Sequence, residues 1–314
     1  MTGYIARRLL ASVPTLVLIS MVVFGILALA PGDPLGQFAA NPDVPPEVRM
    51  NIRHQLGLDQ PIPVRYVKWS TAFLHGDWGY SFASRVPVDR LILQRLPTDL
   101  WVVGSSYLVA VALAVPIGVL SAVKQYSVFD QIATTFAFIG FSLPTFFTGL
   151  LFIIVFSVRL RWLPFIYNVQ VTDPLGMIKQ AVMPVGVLAL FNSASLMRYV
   201  RSSMLDHVGQ DYVRTARAKG VVQRKVIVRH VLRNSLIPVV TLLALGLPAV
   251  FVGAVITEQI FRVPGIGSLL IASIQNSDTP VVMAITFVYA ILVVLFNIVA
   301  DVLYGLLDPR IRYG

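Results

Sequence analysis

Six apolar stretches, each at least 17 residues long, leave this chain little choice of fold. They cover 9–30, 100–123, 131–158, 181–197, 236–257 and 281–300. Each is long enough to cross roughly 30 Å of hydrocarbon as a helix. In lipid, a spanning segment must satisfy its own backbone hydrogen bonds, and repeated runs of this length do so as helices. The expected class is therefore all-α: a polytopic membrane protein with six transmembrane helices.

Composition agrees. The chain is 56% hydrophobic and 13% charged, where a soluble domain carries about 25% charged residues. Its net charge of +10 would suggest nucleic acid in a soluble protein. In a membrane protein the simpler reading is positive cytoplasmic loops, with no nucleic acid partner. With the N-terminus inside, the cytoplasmic segments hold 14 basic and 5 acidic residues, and the outer ones 11 and 10. Both termini are therefore expected in the cytoplasm. The N-terminus resembles a signal peptide, with Arg7-Arg8, an apolar run and Ala28-Leu29-Ala30. That run is too long for a signal sequence and Pro31 follows the cleavage position, so it reads as a retained first helix.

Several classes of chemistry lack their residues. There is no Cys, so no disulfide or thiolate site. No phosphate-binding Gly-rich loop ending in Lys-Ser or Lys-Thr occurs, so the chain is not itself an ATPase of that type. His54, His75, His207 and His230 show no metal-ligand spacing. No metal, cofactor or catalytic residue is expected on this chain. Asp99, Glu258 and Asp301 fall at the ends of the spans, which leaves no ionisable group near the midplane to couple transport to an ion. Pro14, Pro116, Pro144, Pro184, Pro238 and Pro248 lie within spans, either as ordinary kinks or as kinks framing a path.

The outer segment, 31–96, is too short for an enzyme domain. Helices are expected over 46–56, capped by Gly57, and over 64–74, stopped by Gly76. Trp69, Trp78 and Tyr80 suit a membrane interface. The segment reads as a cap over the bundle or as a docking surface.

The segment 198–233 holds nine of the 25 Lys and Arg. A short helix is expected over 210–219, ended by a left-handed Gly220. A second follows over 223–234, with Val222, Val226, Ile227, Val231 and Leu232 at helical spacing. Two apolar stripes among basic residues suit anionic lipid or a groove on a cytoplasmic protein.

These residues carry a resemblance. Asp211-Tyr212-Val213-Arg214-Thr215-Ala216-Arg217-Ala218-Lys219-Gly220 and Arg229-His230-Val231-Leu232-Arg233-Asn234 are similar to the coupling loop of binding-protein-dependent ABC importer permeases, in the dipeptide, oligopeptide and nickel branch. Of the general Glu-Ala-Ala…Gly consensus only Ala216 and Gly220 match, and the downstream Pro is absent. The resemblance extends through Pro31-Gly32-Asp33-Pro34, Leu56-Gly57-Leu58-Asp59-Gln60-Pro61 and Gly76-Asp77-Trp78-Gly79-Tyr80-Ser81. Thr257-Glu258-Gln259-Ile260-Phe261, Pro264-Gly265-Ile266-Gly267 and Asp308-Pro309-Arg310 complete it.

The resemblance implies a type I importer permease of a bacterial inner membrane, a non-catalytic subunit. Its expected partners are a second homologous permease, two ATPase subunits carrying ATP and Mg, an extracytoplasmic solute-binding protein, and membrane lipid. Asp211, Tyr212, Arg214, Thr215, Ala216, Lys219 and Gly220 would couple to an ATPase. Glu258, Phe261, Pro264 and Gly265 would form an outer gate or a binding-protein contact, although a locally satisfied structural turn fits as well. The chain divides into 1–98, a five-helix core over 99–308 with its loop at 198–235, and a tail over 309–314. The cargo would be a di- or oligopeptide, or alternatively glutathione, nickel or another small solute. A self-contained carrier or channel is the competing class.

Overall fold

The computed structural model describes residues 2–29, 47, 50, 54 and 57–307, and for 2–6, 247–253 and 303–307 the backbone alone. The helix expected over 46–56 lies outside the described residues except for Glu47, Met50 and His54, which are helical. The Pro31-Gly32-Asp33-Pro34 and Asp308-Pro309-Arg310 motifs and the tail over 309–314 lie outside them too. Among the described residues the fold is helical, with a single isolated bridge between Tyr80 and Pro87.

Eleven helical elements can be followed among these residues. They are α1 (Thr2–Leu29), α2 (Ile62–Leu74), α3 (Val88–Val123), α4 (Val128–Ser142) and α5 (Thr145–Arg159). Then come α6 (Pro174–Val208), α7 (Asp211–Ala218), α8 (Gln223–Lys225 running on through Val226–Leu232 into Arg233–Gly253), α9 (Val255–Phe261), α10 (Ile266–Gln275) and α11 (Thr279–Leu307). Five are long and apolar enough to span alone. Two further pairs, α4 with α5 and α9 with α10, are apolar enough when taken together, each with a break between its helices, and α4 and α5 are bent by 104°. The straight span expected over 131–158 is thus broken. Leu143 is extended at φ −82° and ψ 127°, as the residue before a proline prefers, and Pro144 begins α5.

Two compact units are present, one of 1–97 with 265–295 and one of 98–264 with 296–314. In the first, α2 is fixed by aromatic rings. Trp69 sits 5.7 Å from Phe24 of α1, 5.6 Å from Phe73 and 5.8 Å from Phe287 of α11. Trp78 stacks on Phe73 at 4.7 Å. Trp69 and Trp78 therefore pack within their unit, while Tyr80 is exposed. Tyr66 also meets the Ser20 hydroxyl at 2.8 Å. The loop after Gly76 is pinned by buried Asp278, which accepts the Ser81 hydroxyl and the Phe82 N–H, the latter at 2.9 Å.

In the second unit, small residues recur every four positions on α3: Ser106, Ala110, Ala114, Gly118 and Ala122, all buried. Spacing of four keeps them on one face, and small side chains let two backbones approach closely. That face packs against α6. α6 itself begins at Asp173, whose carboxylate accepts the Gly176 N–H at 2.7 Å, with Pro174 at the first helical position. Its 35 residues reach Val208, so Arg198 to Val208 is helix and not loop. α8 likewise continues past Asn234, where the second short helix was expected to stop. The basic segment is mostly the ends of two long helices. Asp99 also falls differently. It lies within α3, wholly buried, because that helix starts twelve residues before the expected span.

Candidate functional site

The short helix α7 is built from local rules. Its eight residues start after Gln210, and the Thr215 hydroxyl donates back to the Asp211 carbonyl at 2.9 Å. At its end Gly220 has φ +73°. Gly220 N–H reaches the Arg217 carbonyl at 2.9 Å, and Val221 N–H reaches the Ala216 carbonyl at 3.2 Å. This pair of bonds is the Schellman ending that a left-handed glycine permits.

Burial divides α7 into two faces. Val213 and Ala216 are buried in an apolar cluster with Val200 and Met204 of α6 and Val226 and Val231 of α8. Asp211, Tyr212, Arg214, Thr215, Lys219 and Gly220 are exposed. The expected exposed apolar stripes are largely absent, because Val226 and Val231 face this internal cluster. Val222 stays exposed at the corner. Arg214 and Asp211 lie 3.6 Å apart on the outer face. An exposed pair at that distance contributes little, about 0–1 kcal/mol. The face is therefore an open polar surface on a helix whose inner side is already packed.

Two side-chain ties hold the helices that carry α7. The Ser203 hydroxyl of α6 donates to the Ser235 carbonyl of α8 at 2.8 Å. Arg201 of α6 forms a two-pronged bond with Asp130 of α4, both prongs 2.7 Å long. Sequence reasoning singled out neither residue, since 71 positions separate them. The Ser127 N-cap before Asp130 was the available local signal.

The second expected site is the end of α9. Glu258 and Phe261 are each 2% exposed. The Val263 N–H reaches back to the Glu258 carbonyl at 2.9 Å, and Arg262 takes the left-handed conformation at φ +54°. Phe261 joins Met183, Val187 and Val263 in an apolar cluster. Its carbonyl accepts the Tyr167 N–H at 2.9 Å, from the loop between α5 and α6. Burial pushes the Tyr167 phenol above its ordinary pKa, against a smaller opposite effect of its bond with Gln180. Pro264 is half-buried and Arg262 exposed. The residues that face out from this half of the turn are Arg262 and Pro264.

The α3–α6 unit also contains a cavity of about 520 Å³. It is lined almost wholly by apolar side chains, among them Ile117 of α3, Phe136 and Gly140 of α4, Leu151 of α5, and Phe191 and Met197 of α6. Among the described residues, no group of three His, Asp or Glu side chains forms a metal cluster.

Comparison with known proteins gives a consistent result. Residues 114–313 match the model of the binding-protein-dependent transport system inner membrane component, and 1–103 match its N-terminal companion. The chain is 41% identical to the oligopeptide transport system permease protein AppB of Bacillus subtilis, over all of both chains. It is 37% identical to the glutathione transport system permease protein GsiC of Salmonella paratyphi A, again over both full lengths. A putative peptide permease protein of Brucella suis is 38% identical over 99% of each chain.

Proposed function

The chain belongs to the family of binding-protein-dependent transport system inner membrane components, the non-catalytic permease subunits of ABC importers, and from that premise we propose that it forms half of an import pathway for di- or oligopeptides and couples to an ATPase through α7. Two ATPase subunits, a second permease and an extracytoplasmic binding protein complete the importer. The cargo reading is supported by relatives whose names specify oligopeptide, glutathione and peptide transport. The coupling reading is supported by one observation above all: α7 buries Val213 and Ala216 in its own chain and turns Tyr212, Arg214, Thr215 and Lys219 outward.

The mechanism follows from that division. A rigid helix, ended by Gly220, is gripped on its outer face by an ATPase. Closure of the ATPase pair displaces it. The inner face passes the displacement to α6 and α8, which carry α7 at their ends. ATP and Mg stay on the ATPases. The positive segment around α7 supports a cytoplasmic position for this end, and the reading has both termini inside and six spans crossing a bacterial inner membrane. On the other side the turn of Glu258, Phe261, Pro264 and Gly265 shapes the outer gate or the binding-protein contact.

The test is purification of the tagged chain from native membranes in mild detergent. ATP hydrolysis by the eluate is then assayed with a peptide-loaded binding protein. Co-purifying ATPases whose rate rises with the loaded protein support the reading. A lone chain without them, under conditions that preserve other complexes, brings the carrier or channel class forward.

A further inference from the structure

Asp130 holds three neighbours with one carboxylate. Its Oδ1 accepts from Arg201 Nε and its Oδ2 from Arg201 Nη2, each at 2.7 Å. Oδ2 also accepts the Tyr126 N–H at 2.9 Å, and Oδ1 the Thr134 hydroxyl at 3.3 Å. Ser127, one turn earlier, accepts the Asp130 N–H at 3.3 Å. The carboxylate therefore joins the turn between α3 and α4, the first turns of α4, and α6. Its side chain is 5% exposed and that of Arg201 23%.

A buried ion pair is weak evidence for stability, since desolvation offsets much of the attraction. Its position gives it a different use. Arg201 follows Val200 and precedes Met204, two residues of the wall that buries Val213 and Ala216 of α7. Val200 also lies against Gly118 of α3. A push on α7 is therefore felt by α6 at this level. Apolar contacts between α6 and its neighbours are non-directional and fix the register of a moving helix less sharply than a directed bond does. A two-pronged guanidinium–carboxylate fork has one geometry and resists sliding.

We propose that Asp130 and Arg201 are a positioning pair that makes the α3–α4 turn move as one body with α7, so that ATPase-driven displacement reaches α3 and α4 as well as α6 and α8. This rests on the coupling reading of α7 given above. The fork acts through the helices and touches neither cargo nor nucleotide.

The experiment uses the assembled importer in lipid vesicles, with the binding protein and a labelled trialanine that the wild type takes up. Uptake and ATP hydrolysis are measured together for Asp130→Asn and for Arg201→Lys, which keeps the charge but loses the fork. A second readout needs no cargo. The chain has no Cys, so spin labels at Gln125→Cys and Gln210→Cys, both exposed positions, report the distance between the turn and the start of α7.

The expected wild-type distance is the same with and without ATP. In Asp130→Asn it shifts or broadens with ATP. Uptake per ATP hydrolysed falls about tenfold, in line with loss of charge-assisted hydrogen bonds, while assembly and stimulated hydrolysis persist. Unchanged uptake per ATP in both variants, or a wild-type distance that itself changes with ATP, overturns the inference. So does a parallel loss of assembly, hydrolysis and uptake in both variants, which marks a brace alone. Gly220→Val in the same vesicles separates the two levels. If that variant is uncoupled while both fork variants behave as wild type, the coupling reading stands and this inference fails. If Gly220→Val transports normally, the route through α7 fails, and the inference fails with it.

Discussion

A carbon added at Gly118 would lie 2.8 Å from Val200 Cβ and 2.8 Å from the Met197 carbonyl oxygen. The backbone of α6 itself blocks the site, so side-chain rotation cannot relieve the clash. Overpacking of a well-filled interface typically destabilises by about 1–3 kcal/mol. Gly118→Ala is expected to lower the thermal midpoint of the purified chain, and Gly118→Leu to prevent its accumulation. A Gly118→Leu protein with the wild-type midpoint would show that α3 and α6 do not meet at this point.

Gly220 poses the opposite problem. Nothing lies within 4 Å of a carbon added there, so only the left-handed backbone resists substitution. That resistance is about 1–2 kcal/mol for an ordinary residue, and less for Asn. Gly220→Asn is expected to transport near the wild-type rate. Gly220→Val is expected to insert normally and to lose transport. Equal uptake by the two variants would mean that the conformation of this turn is irrelevant to coupling.

Asp278 accepts from Ser81 and from the backbone of Phe82 in a buried setting. Asp278→Ala strands those donors, at about 1–3 kcal/mol each. The loop that carries exposed Arg85 should then open, since opening tracks local stability. Trypsin cleavage after Arg85 in the detergent-solubilised chain is expected to quicken about tenfold. A cleavage rate equal to wild type would show that the loop is held by other contacts.

At the turn after α9, Glu258 and Phe261 are buried and Arg262 is exposed, so under the reading proposed above a docking binding protein meets Arg262 first. A Cys at 262 would be the chain's only thiol. Arg262→Cys is expected to cross-link to the loaded binding protein in intact vesicles through a short bifunctional reagent. Failure to cross-link, with other exposed outer positions succeeding, would leave this turn a structural element.

Legibility followed the range of the interactions. The helix at 64–74 and its stop at Gly76, and the short helix before Gly220, rest on local rules, and the structure shows both. Helix ends were harder. Charge at Arg198 was read as the edge of the membrane, yet a helix pays no penalty for leaving lipid, and α6 runs ten residues farther. Val226 and Val231 had the right spacing but the wrong expected neighbour. Periodicity gives a face and not what covers it. The fork between Asp130 and Arg201 joins positions 71 apart, beyond any local pattern. The stripe from Ser106 to Ala122 stood in the sequence at constant spacing, and a search for small residues every four positions would have found it.

An eight-residue helix is far too short to persist alone in water, where isolated helices below about 12–15 residues are marginal. Under the coupling reading proposed above, the inward burial of Val213 and Ala216 changes the thermodynamics of docking. The shape is present before a partner arrives, so association forfeits little conformational entropy, and release need not melt anything. On that reading the helix is a prefabricated knob, gripped and let go in every turnover without refolding.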